Sequence, residues 1–198
     1  MRKQKNKTSN LKVKIISGIW GGRNISFLEK IDLRPTKNQV RETLFNWLQN
    51  YVKNSVCLDL FAGSGALGFE AASRGAKKVI MVDNDLEIIN CLNEQKKNLQ
   101  ASNIDIIHAN ADNFLANFQD RVDIIFLDPP FSNNSINNVI LKLSELTKIS
   151  KKCKIYIELP YSSDFEKNLK IPSYWELIKR KRSGDVGYLL YQSRDTMV

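Results

Sequence analysis

The chain has 198 residues, 42% of them hydrophobic, with three cysteines and a formal charge of +9 at neutral pH. That length allows one good core with a small appendage, and that apolar content excludes global disorder. No apolar run approaches the roughly 20 residues of a membrane span, no apolar segment follows the basic N-terminus, and no CxxC pair occurs, which argues against a spanning protein, a secretory signal and a metal or disulfide framework.

The charge is unevenly placed. No acidic residue precedes Glu29, whereas Arg2, Lys3, Lys5, Lys7, Lys12, Lys14 and Arg23 all do, and Lys179-Arg180-Lys181-Arg182 form a second cluster. Such clustering is the footprint of a polyanion binder, nucleic acid first. Cys57, Cys91 and Cys153 read as small core residues in a reducing compartment, so the cytoplasm is the expected location and no metal is expected.

In chain order, residues 1–10 (MRKQKNKTSN) read as a disordered basic tail. Residues 11–53 form an extension: KVKIIS returning through NISFL predicts a β-hairpin, and Arg34-Pro35-Thr36 opens a helix. Thr36 with Gln39 fits a capping box, and Val40, Leu44, Trp47, Leu48 and Tyr51 recur at helical spacing. From 54 to 198 the pattern changes. Strand-like runs at 56–60, 78–82, 104–108, 122–127 and 154–159 alternate with helical stretches near 66–74, 85–100, 111–118 and 135–149. Apolar strands alternating with helices predict an α/β fold, a doubly wound and mostly parallel Rossmann-like sheet. WELIKRKRS and VGYLLYQS, joined by Gly184-Asp185, predict an antiparallel C-terminal hairpin.

The first central strand runs into LDLFAGSGALGFE, where Gly63, Gly65 and Gly68 match G-x-G-x-x-G. Glycines there permit a tight turn and close approach of a ligand to a helix N-terminus. Asp83 ends the next strand, where a carboxylate can receive both hydroxyls of a ribose. Asp59 decides between cofactors. Pyrophosphate would repel an acid at the mouth of the glycine turn, whereas a sulfonium and an α-amino group would be attracted, so S-adenosylmethionine is favoured over a dinucleotide. Asp112 fits either an adenine contact or a helix N-terminal acid favoured by the dipole.

The fourth central strand ends abruptly in Asp128-Pro129-Pro130-Phe131, since neither proline can extend a ladder. The tip lies where open α/β sheets bind ligands. An exocyclic amine of a nucleobase is a poor nucleophile, its lone pair being delocalised into the ring. Hydrogen bonds to the Asp128 carboxylate and the Pro129 carbonyl would aim that lone pair and favour the developing cation. Pro130 stiffens the loop and Phe131 offers a stacking face.

These two stretches resemble motifs I and IV of the class I S-adenosylmethionine-dependent N-methyltransferases. IISGIWGGRNI, then LRPTKNQVRETLFNWL and LDLFAGSGALGFEAASRGA, resemble the RsmD family, bacterial methyltransferases of guanine N2 in small-subunit (16S) ribosomal RNA. The likeness runs from about residue 12 to residue 192. It implies that Gly63, Gly65 and Asp83, with Asp59, Phe61 and Asp112, hold the cofactor, and that Asp128 to Phe131 hold the guanine amine. It implies that Arg23, Arg34, Thr36 and Arg41 face RNA; a solvated helix face is the other reading of Arg41. Gly21 and Gln39 stand where the family usually has basic residues. The implied partner is 16S ribosomal RNA in assembled or assembling small subunits, and a monomer is the default.

A DNA amino-methyltransferase acting on adenine N6 or cytosine N4 would use the same tetrapeptide, but a sizeable target-recognition segment is missing. A non-catalytic ribosome assembly factor is the third reading, disfavoured by the intact Gly63, Gly65, Asp83 and Asp128 set.

Overall fold

Alternating apolar residues at the N-terminus pair as expected. Strands β1 (Asn10–Lys14) and β2 (Asn24–Leu28) form an antiparallel two-stranded sheet with Val13 opposite Ile25, both buried. The computed structural model describes residues 10–30, 35–130, 136–146, 149–162 and 166–194; the tail expected over 1–10 lies outside them except for Asn10.

The first helix departs from expectation at both ends. Helix α1 spans Asn38–Trp47, with Lys37 at its N-cap and no side-chain cap. The capping box does not form, because the Thr36 hydroxyl is directed instead to Asp128, at 3.1 Å. Tyr51 follows the helix and is 48% exposed, while Phe45 takes a fully buried place on the inner face. Arg41 lies on that buried face as well.

Beyond it, β3 (Val56–Asp59), α2 (Ala66–Ser73), β4 (Lys78–Asp83), α3 (Leu86–Leu99), β5 (Ile104–His108), α4 (Ala111–Ala116), β6 (Val122–Leu127), α5 (Ile136–Glu145), β7 (Ile149–Pro160), β8 (Trp175–Ser183) and β9 (Val186–Ser193) follow in order. The last seven strands form one sheet, ordered β5-β4-β3-β6-β7-β9-β8. Strands β3 to β7 are parallel, and β9 pairs antiparallel with both β7 and β8. The chain turns back between β8 and β9 at Gly184, whose φ is +62°. Helix α5 ends short of the expected 149, because β7 begins there and runs on to Pro160 beyond a left-handed Lys152.

Side chains alternate across the sheet. Cys57, Val79, Met81, Ile124, Phe126 and Tyr156 join a core with α1, α2, α3 and the hairpin. Leu58, Ile80, Val82, Ile125, Ile155 and Ile157 join the opposite core with α4 and α5. Among the described residues no helix is long and apolar enough to cross a membrane.

Helix α2 explains why the N-terminal extension is needed. All eight of its residues are buried, as expected of a helix apolar all round. The hairpin and α1 cover the side that would otherwise meet water. The 15–23 loop docks so closely that a Cβ on Gly18 would sit 1.9 Å from the Ser73 carbonyl oxygen, and Gly18 has φ +84°. Ile19 N donates to that same oxygen at 2.8 Å. Trp20 and Trp175 are buried in the core.

Candidate active site

Strand order places the topological switch between β3 and β6, and four acids stand along the carboxyl ends of the central strands. Asp59 ends β3, Asp83 ends β4, Asp128 follows β6, and Glu158 lies near the end of β7. Backbone ladders continue past the strand ends and fix the loops: Leu60 N donates to Phe126 O at 3.3 Å, and Ala62 N to Val82 O at 2.9 Å.

The glycine turn and the acids beneath it make a cradle. Gly65 caps α2 with φ +77°, and a Cβ there would meet Leu92 and Phe69 side-chain atoms at 2.7 Å. Only glycine fits that backbone and that space. The Asp83 carboxylate accepts from Gly63 N at 2.9 Å and from Asp85 N at 3.0 Å. Each of its oxygens keeps a lone pair for a hydroxyl donor. Burial raises its pKa above the usual carboxylate range, opposed by those amides.

Asp59 is 1% exposed, and its Oδ1 makes no hydrogen bond. Burial pushes its carboxyl up to about 7; the amides of Phe61 and Gly68 oppose the shift and Asp83 adds to it. A buried acid with an orphaned oxygen is a poor choice for stability and a good one for attracting a cation. The Phe61 ring is half-buried against the α4 and α5 side of the sheet. The cradle therefore fits a ligand with ribose hydroxyls and positive charge.

The second cluster surrounds Asp128. Parallel pairing aligns Leu127 with Ile157, so the next residues, Asp128 and Glu158, are neighbours on adjacent strands. Thr36 Oγ1 donates to Asp128 Oδ2 at 3.1 Å. Tyr156 Oη donates to Glu158 Oε2 at 2.7 Å. Both carboxyls are held above the usual range. For Asp128 burial is the largest cause, then the Glu158 charge, with the Thr36 hydroxyl opposing. For Glu158 it is burial, opposed by the Tyr156 hydroxyl and the charge of Lys37. Pro129 is buried and Pro130 half-buried, so the loop is anchored directly after the acid.

Other expected site residues fall elsewhere. Asp112 lies in the first turn of α4 and is tied to α5, accepting from Asn138 Nδ2 at 2.8 Å and pairing with Lys142 Nζ at 3.0 Å. That favours the reading of a helix N-terminal acid. Arg41 is corrected outright as a surface residue: it is 1% exposed. Its guanidinium donates to Glu70 Oε2, Thr36 O, Lys14 O and Asn38 Oδ1, leaving it a strut under α1 instead of a phosphate contact. Arg23 is exposed and donates to Asn98 O at 3.0 Å, beside the end of α3. Arg34 and Phe131 lie outside the described residues. The run from Lys179 to Arg182 is exposed throughout on the edge strand β8; Arg180 pairs with Glu166 and the Arg182 guanidinium lies 3.9 Å over the Tyr161 ring. Nothing in the sequence alone singles out Glu158, Glu70 or Lys37.

The family model described as conserved hypothetical protein 95 matches residues 13–192. The ribosomal RNA small subunit methyltransferase D of Haemophilus influenzae is 40% identical over 98% of this chain and all of that protein. Its counterpart from Escherichia coli K12 is 37% identical over 96% of this chain and 94% of that one. A solved Escherichia coli protein, described under the methyltransferase name yhhF, superposes with a TM-score of 0.84 at 36% identity, covering 92% of this chain and 98% of that chain.

Proposed function

Because the chain belongs to the conserved hypothetical protein 95 family, the RsmD family of ribosomal RNA methyltransferases, we propose that it methylates the exocyclic N2 amine of a guanine in 16S ribosomal RNA, with S-adenosylmethionine as donor. The enzyme class and the ribosomal RNA substrate follow the relatives at 37–40% identity. The observation that carries the finer reading is the Asp128-Pro129-Pro130 tip, set at the switch point beside the glycine turn. Assembled or assembling small subunits are the proposed substrate, met in the cytoplasm by a monomer.

When bound, S-adenosylmethionine supplies an electrophilic methyl group on a sulfonium. Gly63 and Gly65 let the backbone approach it, Asp83 receives the ribose hydroxyls, and Asp59 supplies negative potential below the turn. The Asp128 carboxylate and the Pro129 carbonyl accept the two N–H groups of the guanine amine. That arrangement orients the lone pair and stabilises the charge that develops on nitrogen. Thr36 fixes the Asp128 carboxylate from the side of α1.

Radiolabelled S-adenosylmethionine offered in parallel with unmethylated small subunits, naked 16S ribosomal RNA and duplex DNA tests the assignment. Label recovered from small subunits as N2-methylguanosine is the expected result. Label in DNA alone overturns the ribosomal reading.

Asp59 gives a second expectation. Its carboxyl is neutral below about 7 and ionised above it. The buried anion destabilises the ligand-free protein, so stability present at acid pH is lost as the pH rises through about 7. Affinity for the cationic cofactor moves the opposite way and is expected to rise roughly fivefold between pH 6 and 8, as about one unit of pKa change on binding implies. Calorimetric titration across that range checks it, and Asp59→Asn should flatten the profile.

A further inference from the structure

The carboxyl of Glu158 has no task in the reading above, yet it is 5% exposed and lies one strand away from Asp128. Burying an acid is unfavourable, and burying it beside a second acid doubly so, because two adjacent carboxylates cannot both ionise freely. The fold nonetheless holds it firmly. Tyr156, itself fully buried, donates its hydroxyl to Glu158 Oε2 at 2.7 Å. Tyr188 of β9 stands directly opposite Glu158 in the antiparallel register, with its ring 6.4 Å from that of Tyr156. Both tyrosines are fully buried.

We propose that Glu158 acts on the reaction through Asp128: the two acids, neighbours on adjacent strands, form one unit that takes up the proton leaving the methylated amine and shares it. This rests on the methyl transfer proposed above. The chemistry balances as follows. The N2–C bond forms while the sulfonium C–S bond breaks, its electron pair staying on sulfur. The nitrogen becomes cationic. One N–H bond then breaks, its pair staying on nitrogen, and the proton passes to Asp128. The carboxyl pair goes from two negative charges to one and later returns the proton to solvent.

A lone surface aspartate would be too weak a base to hold that proton, whereas an ionised pair, relieved of its mutual repulsion by one proton, holds it more tightly. Both acids titrate above the ordinary carboxylate range, in keeping with this role. Among the described residues, the charged and titratable groups facing the pair are Tyr156 on β7, Tyr188 on β9, Asp59 on β3 and Lys37 before α1. Lys37 alone among them is cationic, and it favours ionisation of Glu158. Glu158 is thus a positioning residue, since of the two carboxyls only that of Asp128 touches the amine.

The test is Glu158→Gln, which keeps the volume and the acceptor for Tyr156 while removing the competing charge. With unmethylated small subunits as substrate, the acidic limb of the kcat profile should move about one pH unit downward, because Asp128 then ionises more readily, while KM for S-adenosylmethionine stays within about twofold. An unmoved limb overturns the proposal. A readout independent of turnover is carboxyl-carbon NMR titration of the free protein. Glu158→Gln should lower the Asp128 midpoint, and Asp128→Asn should lower that of Glu158 in turn. Unshifted midpoints in both variants overturn the coupling even if the wild type methylates RNA. A wild type that labels no RNA, with coupled midpoints intact, defeats the functional reading and not the pairing.

Discussion

The Asp128→Asn protein is expected to transfer methyl groups roughly a thousandfold more slowly than wild type while binding S-adenosylmethionine within about threefold. Asparagine keeps one carbonyl oxygen, which can still accept from Thr36, so the loop geometry should survive. It offers the amine one acceptor and one repelling donor, and it cannot take a proton. Stability should move the other way. Asp128 is destabilised by burial and by the Glu158 charge, and its raised pKa means that stability is fully present at acid pH and lost as the pH rises through the folded value. The asparagine variant should therefore melt at or above the wild-type temperature, with the larger gain on the alkaline side. Turnover on small subunits, cofactor calorimetry and thermal melts at two pH values check all three parts. Parallel loss of binding and turnover, with a lower melting temperature, would show Asp128 to be structural.

Such a variant also bears on what the sequence could reveal. Strand ends were readable because apolar runs in a parallel sheet are nearly continuous, and an acid that closes one stands out. VCLD, KVIMVD and FLD each announce a residue at the carboxyl edge, and Asp59, Asp83 and Asp128 are all there. The same signal was present in KIYIEL, where Glu158 interrupts the run, but a single acid one residue before a closing leucine reads as an ordinary strand end. Its meaning depends on β7 lying beside β6, which only topology supplies. Thr36 failed differently. Its local pattern matches a helix cap, and a contact with a residue 92 positions away overrides that preference. Arg41 failed for a third reason: nothing local distinguishes a buried arginine from a solvated one until its partner, Glu70 on a different helix, is located.

Glu70→Ala is the substitution expected to damage the fold most. Glu70 is fully buried, and its carboxylate accepts from Ile16 N at 2.7 Å, Ser17 N at 3.1 Å, Arg74 Nε at 2.7 Å and Arg41 Nη1 at 3.4 Å. One carboxylate thus fastens the 15–23 loop and α1 onto α2, the helix that follows the glycine turn. Alanine would leave the Arg41 guanidinium buried without its counter-charge and two backbone amides without acceptors. Breaking a buried ion pair from one side costs about 3–5 kcal/mol. For a chain of this size that lowers the melting temperature by roughly 6–20 °C. The loss should be concentrated at the N-terminal side, so the Ile16 and Ser17 amides should exchange hydrogen faster before the central sheet does. Function should fall with it, since α1 brings Thr36 to Asp128 and α2 carries the glycine turn. Replacing Arg41 and Glu70 together with methionine should recover much of the stability, because no unpaired charge then remains buried. If the double variant melts lower than Glu70→Ala by the full Arg41→Met effect, the two side chains act independently and the pair is not the clamp.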